Sequence, residues 1–437
     1  MNSSFMSSKI WKKAIAAFLG CMLFPLTTYA AERPGTGKTQ SILARPHVVD
    51  LTRVLTDTHT SSTNSPPKEP GWMDDMRRRQ VEIAQEGPTV LREWPISYED
   101  TGGTLLFSDS PEYVNDNGIL YQDTVVGPAR VLYYHLNNTA SPRKVAVVLQ
   151  NDGKDSLFVH VSRQGASAPN DDYLTVGKQT QDAYFNGFVD RTIYVPAGGK
   201  RLLDTNMDRT VLAPGELVYG MYDFSASKPV KVSVLMYDAD ANPLFEILRA
   251  RVLPKDEQKL RGTFQGMNRI VTGLRPYDPT KDGPVFVPLS DNVKDNYIEG
   301  IDATDGEKAI DFGNYGLLYK IRLPLKTGTR AEMYLTPLGG IYAGAMLATF
   351  DDKKRSSILL ETPGGQISFG DVGPRERDFE QRMREQEGRS FLKKGAELAF
   401  LGTFYADDGV TFEFSPPGAS NLPVEFVMMP KAGTESK

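Results

Sequence analysis

From Tyr98 onward the chain alternates short runs of β-branched and aromatic residues with Gly, Pro, Asn and Asp turns, and no long helical pattern separates the runs. Parallel strands need crossovers of a dozen or more residues, usually helical. The spacing therefore restricts most neighbours to antiparallel pairing. Strands are expected at 129–136, 144–150, 156–163, 192–195, 217–222, 230–237, 317–323, 331–335, 397–404 and 410–414. Asp152-Gly153 and Asp408-Gly409 sit where hairpin turns belong. The expected class is mainly β, with antiparallel sheets stacked as sandwiches in preference to closed barrels.

Two series of landmarks recur in the same order. In the first, Leu132-Tyr133 precedes Ile193, Pro196 and Gly198-Gly199, then Leu212, Gly215, Glu216-Leu217 and Gly220, and last Pro229-Val230 with Met236. The second runs Leu318-Tyr319, Ile358, Pro363, Gly364-Gly365, Leu392, Gly395, Glu397-Leu398, Gly402 and Pro423-Val424 with Met428. Between the paired glycines and the leucine the second series is longer, and the surplus is the charged stretch 375–388, with Phe379 and Met383 on one side. An inserted helix is expected there. Gly-Gly and Pro-Gly turns recurring as in any β protein are the other reading. On the repeat reading, residues 97–253 and 258–431 are two tandem antiparallel β-sandwich domains hinged at Leu253-Pro254-Lys255-Asp256-Glu257.

Upstream the pattern changes three times. Lys9, Lys12 and Lys13 precede an apolar stretch from Ala14 to Leu26 that ends in small residues at Ala30, so 1–30 reads as a secretory signal peptide. The stretch is too short for a membrane helix, and Pro25 interrupts it. Residues 31–70, rich in Ser, Thr and Pro, read as a flexible arm. Residues 71–96 read as a short helix and a connection, with Met73, Met76, Ile83 and Ala84 on one side, and Gly87-Pro88 as the stop.

The 50 Lys+Arg and 55 Asp+Glu give a formal charge of -5. Loss of the leader removes three lysines and no acids, which takes it to -8. That is the wrong sign for a chain whose affinity comes from neutralising nucleic-acid phosphates. Cys21, the one cysteine, lies in the leader, where it is either an ordinary apolar residue or the site of a lipid anchor. Gly35-Thr36-Gly37-Lys38-Thr39 resembles the end of a phosphate loop, yet Glu32 stands where its first glycine belongs.

Candidate chemistry is sparse. With no cysteine outside the leader and no G-x-S-x-G, nucleophilic catalysis lacks its usual parts. Of the four histidines, His47 and His59 fall in the arm, and His135 and His160 in strands that could meet across a sheet. Two histidines without a third ligand make a weak metal site. Asp204-Thr205-Asn206-Met207-Asp208 and Asp238-Ala239-Asp240-Ala241-Asn242 space oxygen ligands as calcium loops do, or are ordinary polar turns. Asp171-Asp172, Asp351-Asp352 and Asp407-Asp408 are the adjacent acids, all beside turn residues. Tyr133, Tyr134, Tyr173, Tyr184, Tyr194, Tyr219, Tyr222, Tyr237 and Tyr319 lie in or near strands, where they serve the core or offer stacking faces to a sugar.

The segments 108–112, 118–121, 129–137, 172–178 and 314–319 resemble secreted proteins of Gram-positive bacteria labelled copper amine oxidase-like, over most of residues 100–430. The resemblance implies an extracytoplasmic place and no activity of its own. The enzyme whose name the label borrows would need three histidine ligands and a tyrosine in an Asn-Tyr-Asp or Asn-Tyr-Glu setting. Here Gly316 follows Asn314-Tyr315 and Ile298 follows Asn296-Tyr297, and no His-x-His occurs. The expectation is a secreted, non-catalytic tandem β-sandwich protein that binds a cell-wall glycan or an envelope protein, without metal or cofactor. The alternative is an extracellular hydrolase of a polysaccharide or wall polymer that uses a carboxylate pair.

Overall fold

Two long strands, Gly118–Asn137 and Leu217–Asp238, pair antiparallel and organise the first half of the fold. Gly127-Pro128 on one and Pro229 on the other interrupt their apolar runs, and the register shifts between Ala226 and Val230. Each strand thus continues through a bulge instead of ending. The computed structural model that shows this describes residues 71–337, 340–362, 367–368, 387–392 and 394–431. The expected leader, the arm and most of the inserted helix lie outside the described residues.

Alternation divides each long strand between two cores. Val131 and Tyr133 join Val218, Tyr222 and Phe224 in one cluster, completed by Val145, Val147 and Leu149 of the neighbouring strand Arg143–Gln150. Leu132, Tyr134 and Leu136 join Leu217, Tyr219 and Met221 in the other. A strand buried on both faces has no polar side to show, which explains the nearly unbroken apolar run 131–136.

The second core also takes in residues from two six-stranded sheets. Met333, Phe426 and Met428 come from a sheet that includes Thr89–Glu93, Val285–Leu289, Val424–Pro430 and Arg330–Thr336. Val271, Ile321 and Phe412 come from one that includes Ile96–Thr101, Asn268–Gly273, Leu318–Arg322 and Val410–Phe414. The N-terminal helix Gly71–Ile83 packs through Ile83 on the opposite face of the first of these sheets, against Leu91, Tyr334 and Val427. Among the described residues no helix is long and apolar enough to cross a membrane.

The mainly β expectation holds, and all ten expected strands lie in or overlap observed ones. The antiparallel expectation needs correction, because several sheets are mixed. Thr104–Ser108 runs parallel to 129–133, Thr89–Glu93 to Val285–Leu289, and Asn268–Gly273 to Leu318–Arg322. Other strands and loops, in place of single helices, carry the chain between these partners, so the spacing gave no sign of them. The hydrogen bonding also crosses the expected hinge, since Arg261–Gln265 pairs with Thr104–Ser108.

The helix Tyr173–Asn186 was not expected. Asp172 caps it through the Thr175 amide, and Val176, Thr180 and Tyr184 bury one stripe. Its interior glycine and β-branched residues weaken intrinsic helix propensity. Packing requires that glycine, because a Cβ on Gly177 would stand 2.3 Å from the Gly418 carbonyl oxygen. The Gln181 side chain accepts from the Ala345 amide at 2.8 Å and donates to the Ser415 carbonyl, which fastens the helix to the second half.

Candidate ligand-binding site

Asp100, Arg269 and Tyr319 stand in register on three adjacent strands. Arg269 shares the inward face of its strand with Val271, and a buried guanidinium demands anionic partners. Asp100 supplies one, accepting from Nε at 2.6 Å and Nη2 at 2.9 Å. Fully buried Asp295 supplies the other through a contact with Nη1. Asp295 also accepts from Tyr319 Oη at 2.6 Å and from the Ser290 amide at 2.6 Å. Burial raises the Asp295 carboxyl, opposed by the charge of Arg269. Burial pulls Arg269 down, and the bond to Asp100 with the charge of Asp295 outweighs it and holds the group protonated.

Above this network lies a cavity of about 330 Å³. Tyr98 and Tyr297 contribute its rings, and Asp100, Gln265, Lys294 and Asn296 are among its polar lining. Tyr98 is fixed by donating to the Pro288 carbonyl at 2.6 Å. Tyr297 is fixed by an edge-to-face contact with Phe312, with centroids 6.0 Å apart. Burial pushes its hydroxyl up to about 12, so it stays a donor. The connecting turn is rigid: the Asp291 carboxylate accepts from the amides of Val293, Lys294 and Asp295. Opposite charges are paired, Lys294 with Glu93 at 3.2 Å and Arg269 with its two aspartates. What remains is a pair of held rings beside both donors and acceptors.

A groove of about 660 Å³ beside the N-terminal helix is more committed to structure, because Arg79 at its wall binds Glu332, which Tyr334 also engages.

The residues singled out in the sequence mostly hold turns. His135 is buried, its Nε2 2.8 Å from Ser108 Oγ and its Nδ1 2.9 Å from the Pro111 carbonyl oxygen, and burial pushes it down to about 4. It pairs with Val218 and His160 with Ser225 of the same strand, so the two stand about 20 Å apart and do not meet. Asp204 and Asn242 cap short helical turns, and Asp238 pairs with Arg143. Asp172 is a helix cap, Asp351 binds Arg322, and Asp408 binds Arg355 and the Tyr405 amide. Among the described residues no group of three or more His, Cys, Asp or Glu is placed to hold a metal ion. His47 and His59 lie outside the described residues.

Sequence reasoning missed Asp100, Arg269 and Asp295. A usable signal was present in Asn268-Arg269-Ile270-Val271-Thr272-Gly273, where alternation puts an arginine on the face of the buried valine. No family model and no curated protein matches this chain.

Proposed function

We propose that this is a secreted, non-catalytic protein of tandem β-sandwich type that binds a glycan at the cell envelope through the Tyr98–Tyr297 cavity. The observation that carries the reading is the pair of immobilised rings beside both donors and acceptors. Sugar hydroxyls both donate and accept, and sugar ring faces lie flat on aromatic side chains. The leader-like first thirty residues and the resemblance to secreted Gram-positive proteins support an extracytoplasmic place.

Binding is favoured over hydrolysis by the state of the carboxylates. Asp100 and Asp295 are both engaged by one guanidinium, and Asp295 is fully buried behind it, so the two are committed to holding the cavity wall instead of flanking a glycosidic bond. Glu112 is raised to about 7 by burial and by Asp256, as a general acid would be. Asp256 is occupied by Ser110 Oγ and by the amides of Glu112, Gln258 and Lys259, the pattern of a turn-holding residue.

The test is retention of the chain lacking residues 1–30 on insoluble cell-wall polysaccharides and peptidoglycan, followed by calorimetry with soluble fragments of whatever retains it. Retention that Tyr297→Ala weakens supports the reading. Failure of every glycan at micromolar protein overturns it.

A further inference from the structure

A second cavity, of about 290 Å³, opens elsewhere, between the long strands, the end of Leu157–Ala166 and the helical turn Thr205–Arg209. Val145, Met207, Leu212 and Val218 make its apolar walls, and Tyr133 and Tyr222 line it as a stacked pair, with centroids 6.3 Å apart and planes 19° from parallel. Gly220 makes this arrangement possible, since a Cβ there would stand 2.5 Å from the Tyr133 ring.

The one charged side chain in the lining is Asp204, and it is only 8% exposed. Its Oδ1 accepts from the Asn206 amide at 2.9 Å, while Oδ2 has a long contact of 3.4 Å with Tyr222 Oη. No cationic group among the described residues pairs with it. The neighbouring guanidinium of Arg191 donates instead to the Leu203 carbonyl and to Gln164 Oε1, both at 2.8 Å. Buried carboxylates are ordinarily paired, because an isolated buried charge is strongly unfavourable. The loop that carries Asp204 spaces its oxygens as a calcium site would, yet Asp208 turns away to Lys144 and Tyr237. That leaves one carboxylate, two phenols and apolar walls, a poor cage for a hard cation and a good one for an ammonium group with a hydrocarbon body.

We infer that this cavity binds a small primary ammonium compound, whose N–H groups meet Asp204 Oδ2 and the tyrosine hydroxyls while its alkyl part lies against Val145, Met207 and Val218. The volume is at the lower end for small-ligand sites, which suits a monomeric amine and not a polymer. The site is independent of the Tyr98–Tyr297 cavity.

The probe is n-butylammonium, with 1-butanol as its neutral counterpart, titrated into the chain lacking residues 1–30 by calorimetry and thermal shift. Saturable millimolar binding of butylammonium, and none of butanol, is expected. Asp204→Asn keeps the helical-turn cap and should weaken binding roughly tenfold or more. Ala166→Trp, at the exposed rim, should block entry with the melting temperature unchanged. Equal responses to the amine and the alcohol, or wild-type affinity in Asp204→Asn, would overturn the inference.

Discussion

Arg269 faces Asp100 directly across an antiparallel strand pair and grips both of its carboxylate oxygens, at 2.6 and 2.9 Å. The same guanidinium neutralises buried Asp295, so the two aspartates are unequal partners. Asp100 keeps 40% of its side chain in solvent and Asp295 none. Removing Arg269 strands a buried charge, whereas removing the Asp100 charge removes one that water can replace. Arg269→Ala should cost about 3–5 kcal/mol, and Asp100→Asn about 1 kcal/mol or less, in urea unfolding. Equal losses would contradict this geometry.

The Tyr297 ring rests edge-on against Phe312 and forms one wall of the proposed glycan site. Its loss should weaken glycan affinity roughly tenfold, the scale of one aromatic contact. Tyr98→Phe keeps the ring and loses only the bond to the Pro288 carbonyl. It should retain most of the affinity, and calorimetry on both variants separates ring stacking from general damage.

Glu112 and His135 lie on either side of Pro111 and drive stability in opposite directions with pH. Glu112, raised from 4.5 to about 7, is penalised once it ionises, so its contribution falls as pH rises from 4.5 to 7. His135, lowered from 6.5 to about 4, stays neutral when folded, so its contribution is present above 6.5 and is lost as pH falls toward 4. Each slope is about 1.4 kcal/mol per pH unit, and the two oppose each other between 4.5 and 6.5. Glu112→Gln should therefore gain stability relative to the parent as pH rises across that window. Unfolding curves at several pH values read this directly, and a difference independent of pH would refute it.

Gln181 satisfies two buried backbone groups far apart in the chain, the amide of Ala345, which opens the strand Ala345–Phe350, and the carbonyl of Ser415, just past the strand Val410–Phe414. Gln181→Leu fills nearly the same volume and satisfies neither. The expected loss is roughly 1–3 kcal/mol per orphaned group. Hydrogen exchange should show the Ala345 amide released first, and protection equal to the parent's would contradict the fastening role.

Strands were legible wherever apolar residues recur with period two, as in Val410–Phe414, because that signal is local. The helix Tyr173–Asn186 was not, because what makes it a helix is its fit between the long strands and the Gly418 turn. Parallel pairs such as Thr104–Ser108 with 129–133 escaped for a related reason: no short connection announces them. The candidate site divides in the same way. Tyr297 and Tyr319 were visible as residues, but the placing of Tyr319 beside Arg269, where it donates to Asp295, depends on a register between strands far apart in the chain.

The position of Leu217–Asp238 has a consequence for how the chain is made. This strand bonds to Gly118–Asn137 along its length and to Arg143–Gln150 and Leu157–Ala166 on its other edge. It is also the last of the four to leave the ribosome. Until Asp238 has emerged, the earlier strands lack their central partner and expose unpaired edges, the state that invites chaperone binding. Vectorial synthesis thus delays closure of the first half until the fourth strand is available.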